Sequence, residues 1–178
     1  MSINYQILNK NLDTVVKAAG VTKLSRMYSQ PFKYIFAIFY RRLIYPFTRK
    51  GIIKKTPTFF GIPMQIVLPA STDIYLTGGK SHPSEVRLAR FMIQHLVAGD
   101  TFMDIGAHFG YFTLLASVLV QDQGKVYAFE ASKSTFQLLQ KNVNIYSNIK
   151  ACHQAVSNST ENLLFYQFPV LYSEYNSM

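Results

Sequence analysis

A chain of 178 residues, 49% hydrophobic and 15% aromatic, suits one domain with an extension and is too apolar for wholesale disorder. Its one cysteine, Cys152, excludes an internal disulfide and any multi-cysteine metal site. The net charge of +9 resembles a nucleic-acid footprint, yet residues 1–60 hold eleven Lys or Arg against Asp13 alone, while 61–178 hold seven basic and eight acidic side chains. That asymmetry points to an anionic surface as partner of the first third only, and no nucleic-acid partner is expected.

The start, MSINYQILNKNLD, lacks a basic flank followed by an apolar core, so no secretory signal is read. Residues 1–30 are mixed and polar, with helical spacing at Leu12, Val15, Val16 and Ala19. In QPFKYIFAIFYRRLIYPFTRKGIIKK the apolar positions are too dense for one clean face; Arg41 and Arg42 interrupt them, and Pro46 is expected to end or kink any helix. The apolar run 34–40 falls far short of the roughly 20 residues of a bilayer span. Two readings of 31–55 stand: an interfacial helix meeting anionic membrane, or a helix packed on the main domain with a solvated basic rim.

Residues 57–78 read as a hairpin or small sheet, with β-rich runs at 64–68 and 73–76 broken by Gly61, Pro63, Pro69 and the Gly78–Gly79 pair. SHPSEVRLARFMIQHLVAGD reads as a helix with Pro83 in its first turn and an apolar stripe at Val86, Ala89, Met92, Ile93 and Leu96. Strand, helix, strand, helix and strand then alternate at 101–105, 111–120, 125–130, 134–146 and 149–156, with a fourth strand at 163–168. Such alternation indicates crossover connections and a parallel sheet.

TFMDIGAHFGYF places Asp104 at a strand tip, with Gly106 and Gly110 in the loop before the next helix. In open parallel sheets ligands sit at that point, where glycine permits close backbone approach and helix-start N–H groups bind anions. A dinucleotide would call for G-x-G-x-x-G, whereas this loop has His108 in place of the central glycine. Asp104 would repel a pyrophosphate but attracts an ammonium, which favours S-adenosyl-L-methionine as cofactor. Glu130, ending the second strand, can accept both ribose hydroxyls of either cofactor.

In that order, GDTFMDIGAHFGYFTLLAS, KVYAFEAS, TFQLLQKNV and HQAVSN resemble the FkbM-type family of S-adenosylmethionine-dependent methyltransferases over about residues 85–168. The resemblance implies a Rossmann-like class I methyltransferase fold: α/β, a doubly wound sheet incomplete at the carboxyl end, with a basic helical amino-terminal extension. It implies that Asp104, Gly106, Ala107, His108 and Gly110 form the methionine loop and that Glu130 holds the ribose, followed by Ala131. Gln154 and Ala155 would lie near the adenine, and Glu85 matches an acidic position that helps bind the cofactor. His108 and Ala131 replace the family's usual Asn and Pro. The family's K-x-D-x-E-G-x-E segment, on the acceptor side, has no counterpart before SEYNSM, so the chain is expected to be the amino-terminal part of an enzyme, with an exposed apolar strand edge.

The expected organisation is therefore a basic extension at 1–56, a β lead-in at 57–80 and the methyltransferase domain at 81–178. The expected activity is O-methylation of a hydroxyl on a small-molecule, sugar, glycan or polyketide-like acceptor, in the cytoplasm or peripherally at the inner membrane face. No catalytic base and no metal ligand is assigned. A non-catalytic cofactor-binding or membrane-surface module and a nucleotide-dependent oxidoreductase stand as alternatives.

Overall fold

The computed structural model describes residues 4–158, which form two compact units, 4–91 and 92–158, divided within one helix. The fourth strand expected at 163–168 lies outside the described residues.

In the first unit, α1 (Tyr5–Gly20) starts where the Asn4 side chain accepts the Ile7 N–H at 3.1 Å. It buries Leu8, Leu12 and Val15, the inward stripe of an amphipathic helix. After α2 (Lys23–Ser29), Pro31 opens α3 (Pro31–Phe39), since a first-turn residue needs no N–H donor. Pro46 does not end this helix as expected. The chain widens into a π-helical turn (Tyr40–Ile44), with the Tyr45 N–H on the Tyr40 carbonyl, and continues as α4 (Tyr45–Thr48). The wider turn changes the hydrogen-bond partners just ahead of a residue that has no N–H to give. Arg49, at φ 53°, stops the rod. Ala37, Tyr40 and Tyr45 are its buried side chains, and the Tyr40 hydroxyl donates to the Lys50 carbonyl at 2.7 Å.

The hairpin begins earlier than the sequence suggests. β1 (Ile52–Pro57) pairs antiparallel with β2 (Pro63–Leu68), with Ile52 opposite Leu68 and Pro57 opposite Pro63. β2 alternates, burying Met64, Ile66 and Leu68. The stretch 73–76, expected as strand, is instead part of α5 (Thr72–Thr77), which ends at Gly78 in the left-handed conformation. Ile74 is its buried residue, and the helix packs against α1, α3, β1 and β2. Packing of Ile74 and its neighbours against those elements decides the conformation here over β-propensity. Then α6 (Pro83–His95) carries the division between units; Ala89, Met92 and Ile93 are buried.

In the second unit, β3 (Thr101–Ile105), β4 (Lys125–Phe129) and β5 (Ile149–Cys152) form a parallel sheet in the order β3-β4-β5. The crossovers are α7 (Tyr111–Val120) and α8 (Lys133–Val143). This is the expected α/β architecture with a helical amino-terminal region. α7 is apolar almost all round and packs on β3 and β4, burying Leu114, Leu115, Leu119 and Val120; α8 packs on β5. The third strand stops at Cys152 rather than 156, because pairing with β4 ends at the Phe129–Cys152 register. Among the described residues β3 pairs with β4 alone, and its Met103 and Ile105 are exposed.

Leu12 is fully buried while the Tyr40 hydroxyl makes one bond near the surface. Urea unfolding should therefore show Leu12→Ala losing about 3 kcal/mol and Tyr40→Phe about 1 kcal/mol.

Candidate cofactor site

All three parallel strands end at one edge of the sheet, so the loops after β3, β4 and β5 gather there. After Ile105 the chain turns through Gly106 (φ 78°), His108 (φ 51°) and Gly110 (φ 90°) into α7. The Gly106 and Ala107 amides both donate to the Phe129 carbonyl, at 2.9 and 3.0 Å, and the Gly110 amide donates to Ala107 at 2.8 Å. The loop is thus laid over the end of β4. Its two glycines have different reasons. A Cβ on Gly110 would stand 2.7 Å from Leu139 Cδ1 of α8, so the buried Leu139 side chain would have to shift; one on Gly106 would meet nothing within 4 Å among the described residues. Beside Gly106 there is open space of the kind a ligand's backbone approach uses.

His108 occupies a left-handed position, which Asn, Asp and His adopt more readily than other side-chain-bearing residues. Its N–H donates to Glu130 Oε2 at 2.9 Å, and its ring lies 3.7 Å, centroid to centroid, from that of Phe109. His108 thus brings a left-handed conformation and a backbone donor to the loop.

Glu130 is buried just past β4. Its Oε1 accepts the Ser132 N–H at 2.9 Å, so each carboxylate oxygen takes one amide hydrogen and retains a further lone-pair direction. Asp104, half-buried in β3 opposite Ala128, accepts the Thr113 hydroxyl on Oδ2 at 2.5 Å. Two carboxylates thus stand at the ends of neighbouring strands, at the start of α7, whose helix-start amides favour an anion. Ala131 gives its carbonyl to His153 Nε2 at 3.1 Å, and the His153 ring stacks on Phe136 with centroids 4.9 Å apart. Gln154 and Ala155 are exposed just beyond β5, at the same edge.

The structure therefore gathers Asp104, Gly106, Ala107, His108, Gly110, Glu130, Ala131, Gln154 and Ala155 at one sheet edge. Glu85 belongs to the other unit, where its carboxylate pairs with Lys80 in the first turn of α6. Near it, burial pushes the Asp73 carboxyl above its ordinary value, against the pull of the Ile74 amide, Lys80 and the Ser81 amide. Sequence reasoning missed two residues that shape the loop. Thr113 binds Asp104, and nothing in its spacing marks it; Asn142, within the run TFQLLQKNV, donates through Nδ2 to the Phe109 carbonyl at 2.8 Å.

No protein-family model matches the chain. Over 59 residues it is 37% identical to the probable cobalt-precorrin-6B C(15)-methyltransferase (decarboxylating) of Sulfurisphaera tokodaii. That match covers 33% of this chain and 31% of the relative, so the chain spans about a third of the length of the curated protein it matches. Among solved structures it is similar to TYW2 of P. horikoshii in complex with MeSAdo, at TM-score 0.42 and 17% identity over 61% of this chain and 37% of that one. It is also similar to a SAM-dependent O-methyltransferase of Thermotoga maritima, at TM-score 0.37 and 19% identity over 57% and 40%. At these TM-scores neither likeness adds to what the hydrogen-bonded sheet itself establishes.

Because Gly110 is both left-handed and crowded by Leu139, Gly110→Ala should lower stability by about 2 kcal/mol or more in urea unfolding, with Gly106→Ala costing about 1 kcal/mol. Asp73 binds its proton more tightly folded than unfolded. Its contribution to stability should fall as pH rises from about 4 upward, and Asp73→Asn should flatten that part of the urea-midpoint profile.

Proposed function

We propose that the chain carries the cofactor-binding part of an S-adenosyl-L-methionine-dependent methyltransferase. One observation carries this reading: Asp104, fixed by Thr113 at the tip of β3, stands beside the glycine loop where a dinucleotide would put its pyrophosphate. A carboxylate there opposes phosphate and pairs with an ammonium. The 59-residue match to a methyltransferase supports the same reading, as does the FkbM-type motif order.

The residues present fit such a cofactor. Open space beside Gly106 admits it, Asp104 binds its ammonium, and the start of α7 receives its carboxylate. Glu130 accepts ribose hydroxyls on the lone pairs that the His108 and Ser132 amides leave available. Gln154 and Ala155 border the adenine side, and Ala131 follows the ribose acceptor. When bound, the cofactor would supply an electrophilic methyl group, whose sulfur would leave as a thioether when an acceptor atom attacks the methyl carbon in line. The chain's own part is to fix the site in one place beforehand through the loop hydrogen bonds, since positioning lowers the barrier of a two-reactant step.

On the family resemblance, the acceptor atom is a hydroxyl oxygen of a sugar, glycan or polyketide-like molecule. The relative's name points instead to carbon methylation of a corrin precursor. Calorimetry of the 178-residue chain with S-adenosylhomocysteine tests the shared claim. The parent should bind, and Asp104→Asn should weaken binding by roughly tenfold or more, the loss of one charge-assisted bond, with the far-UV circular dichroism unchanged. Failure of the parent to bind, or equal binding by the variant, rejects the reading; binding of NADH in its place favours the oxidoreductase alternative.

A further inference from the structure

We infer that the rod formed by α3, the π turn and α4 is a docking surface for an anionic phospholipid bilayer, lying on the membrane rather than crossing it. The inference depends on the 4–91 unit alone and not on methyl transfer. Five large apolar side chains recur along the rod at intervals of three or four residues: Phe32, Ile35, Phe39, Leu43 and Phe47, exposed by 88, 56, 48, 56 and 85%. That spacing puts them on one stripe. Ala37, Tyr40 and Tyr45 are the side chains the rod buries, so the stripe is a second apolar face and not the packing face. The neighbouring α2 adds exposed Leu24 and Tyr28. Isolated exposed apolar residues are ordinary; a contiguous row of this length marks an interaction site.

Charge selects the partner. Between Asp13 and Asp73 the chain has ten Lys or Arg and no acidic residue. Arg41 and Arg42 are exposed on the rod beside Leu43, and Arg49 and Lys50 are exposed at its end. Apolar side chains reaching the acyl boundary with cations at headgroup level are the arrangement of an interfacial helix. A nucleic acid would be served by the cations and by stacked aromatics, but gives no purpose to aliphatic Ile35 and Leu43 on the same stripe. Among the described residues no helix is long and apolar enough to cross a membrane, which fits a surface-lying mode.

The test is co-sedimentation of the full chain with vesicles of phosphatidylcholine mixed with phosphatidylglycerol, and with phosphatidylcholine vesicles alone. The parent should sediment with the anionic vesicles, less with the neutral ones, and less again as salt is raised. The double variant Phe32→Ser/Phe47→Ser should lose sedimentation, Phe32→Leu/Phe47→Leu should retain it, and Arg41→Gln/Arg42→Gln should weaken it by about thirtyfold. Unfolding midpoints of all three should match the parent, because these side chains are exposed. Absence of sedimentation with anionic vesicles, or Ser variants that sediment like the parent, overturns the inference. So does a self-association that the Ser substitutions abolish without any lipid binding, or binding of a single-stranded RNA that replaces vesicle binding and is lost in the Arg variants.

Discussion

The buried carboxylate of Glu130 accepts one backbone N–H from the loop after β3, at His108, and one from the start of α8, at Ser132. Burying a carboxyl group is costly unless its oxygens are hydrogen-bonded, and here the bonds come from main-chain amides. Two loops are thereby tied to one strand end. The same carboxylate is the proposed ribose acceptor, so the group that would meet the ligand also holds the surrounding backbone in shape. Asn142 completes the frame from α8 by fixing the Phe109 carbonyl, and Thr113 fixes Asp104 from α7. Neither helix could move far without releasing a polar group of the loop.

The two units divide the chain's physical character. Residues 92–158 build a nearly neutral parallel sheet whose strand ends carry carboxylates, suited to a small cationic ligand. Residues 4–91 carry the cations, and use aromatic rings to shelter some of them: Lys54 lies 4.6 Å from the Phe36 ring centroid and Lys33 5.6 Å from that of Tyr75. Arg41 and Arg42 remain exposed on the helical rod. An electrostatic attraction to an anionic surface therefore falls on one unit and leaves the proposed ligand-binding edge free of excess positive charge.

Segments with a clear apolar pattern were legible. Leu12 and Val15 marked α1, the apolar run from Tyr111 marked α7, and β-rich runs at even spacing marked β3 and β4, because each pattern matches the period of its element. Some segments whose local pattern is weak were not. Residues 73–76 have strand-like side chains yet form α5, where contact with α1, α3 and the hairpin outweighs a weak local preference. Ile52–Pro57 read as part of a basic helical stretch until paired with β2, since an edge strand rich in lysine has little pattern of its own. Pro46 was expected to end or kink a helix, and a single π turn just ahead of it lets the helical rod continue.

By itself the sequence determined the alternation of strands and helices, the glycine loop with its two flanking acids, and the confinement of positive charge to the first third. These are properties of order and spacing along the chain. Only the tertiary structure decided that His108 adopts a left-handed backbone, that Thr113 and Asn142 hold Asp104 and the loop, and that one row of apolar residues between 32 and 47 faces outward. Those depend on which surfaces meet across long separations in sequence, and a residue's type does not specify its neighbours.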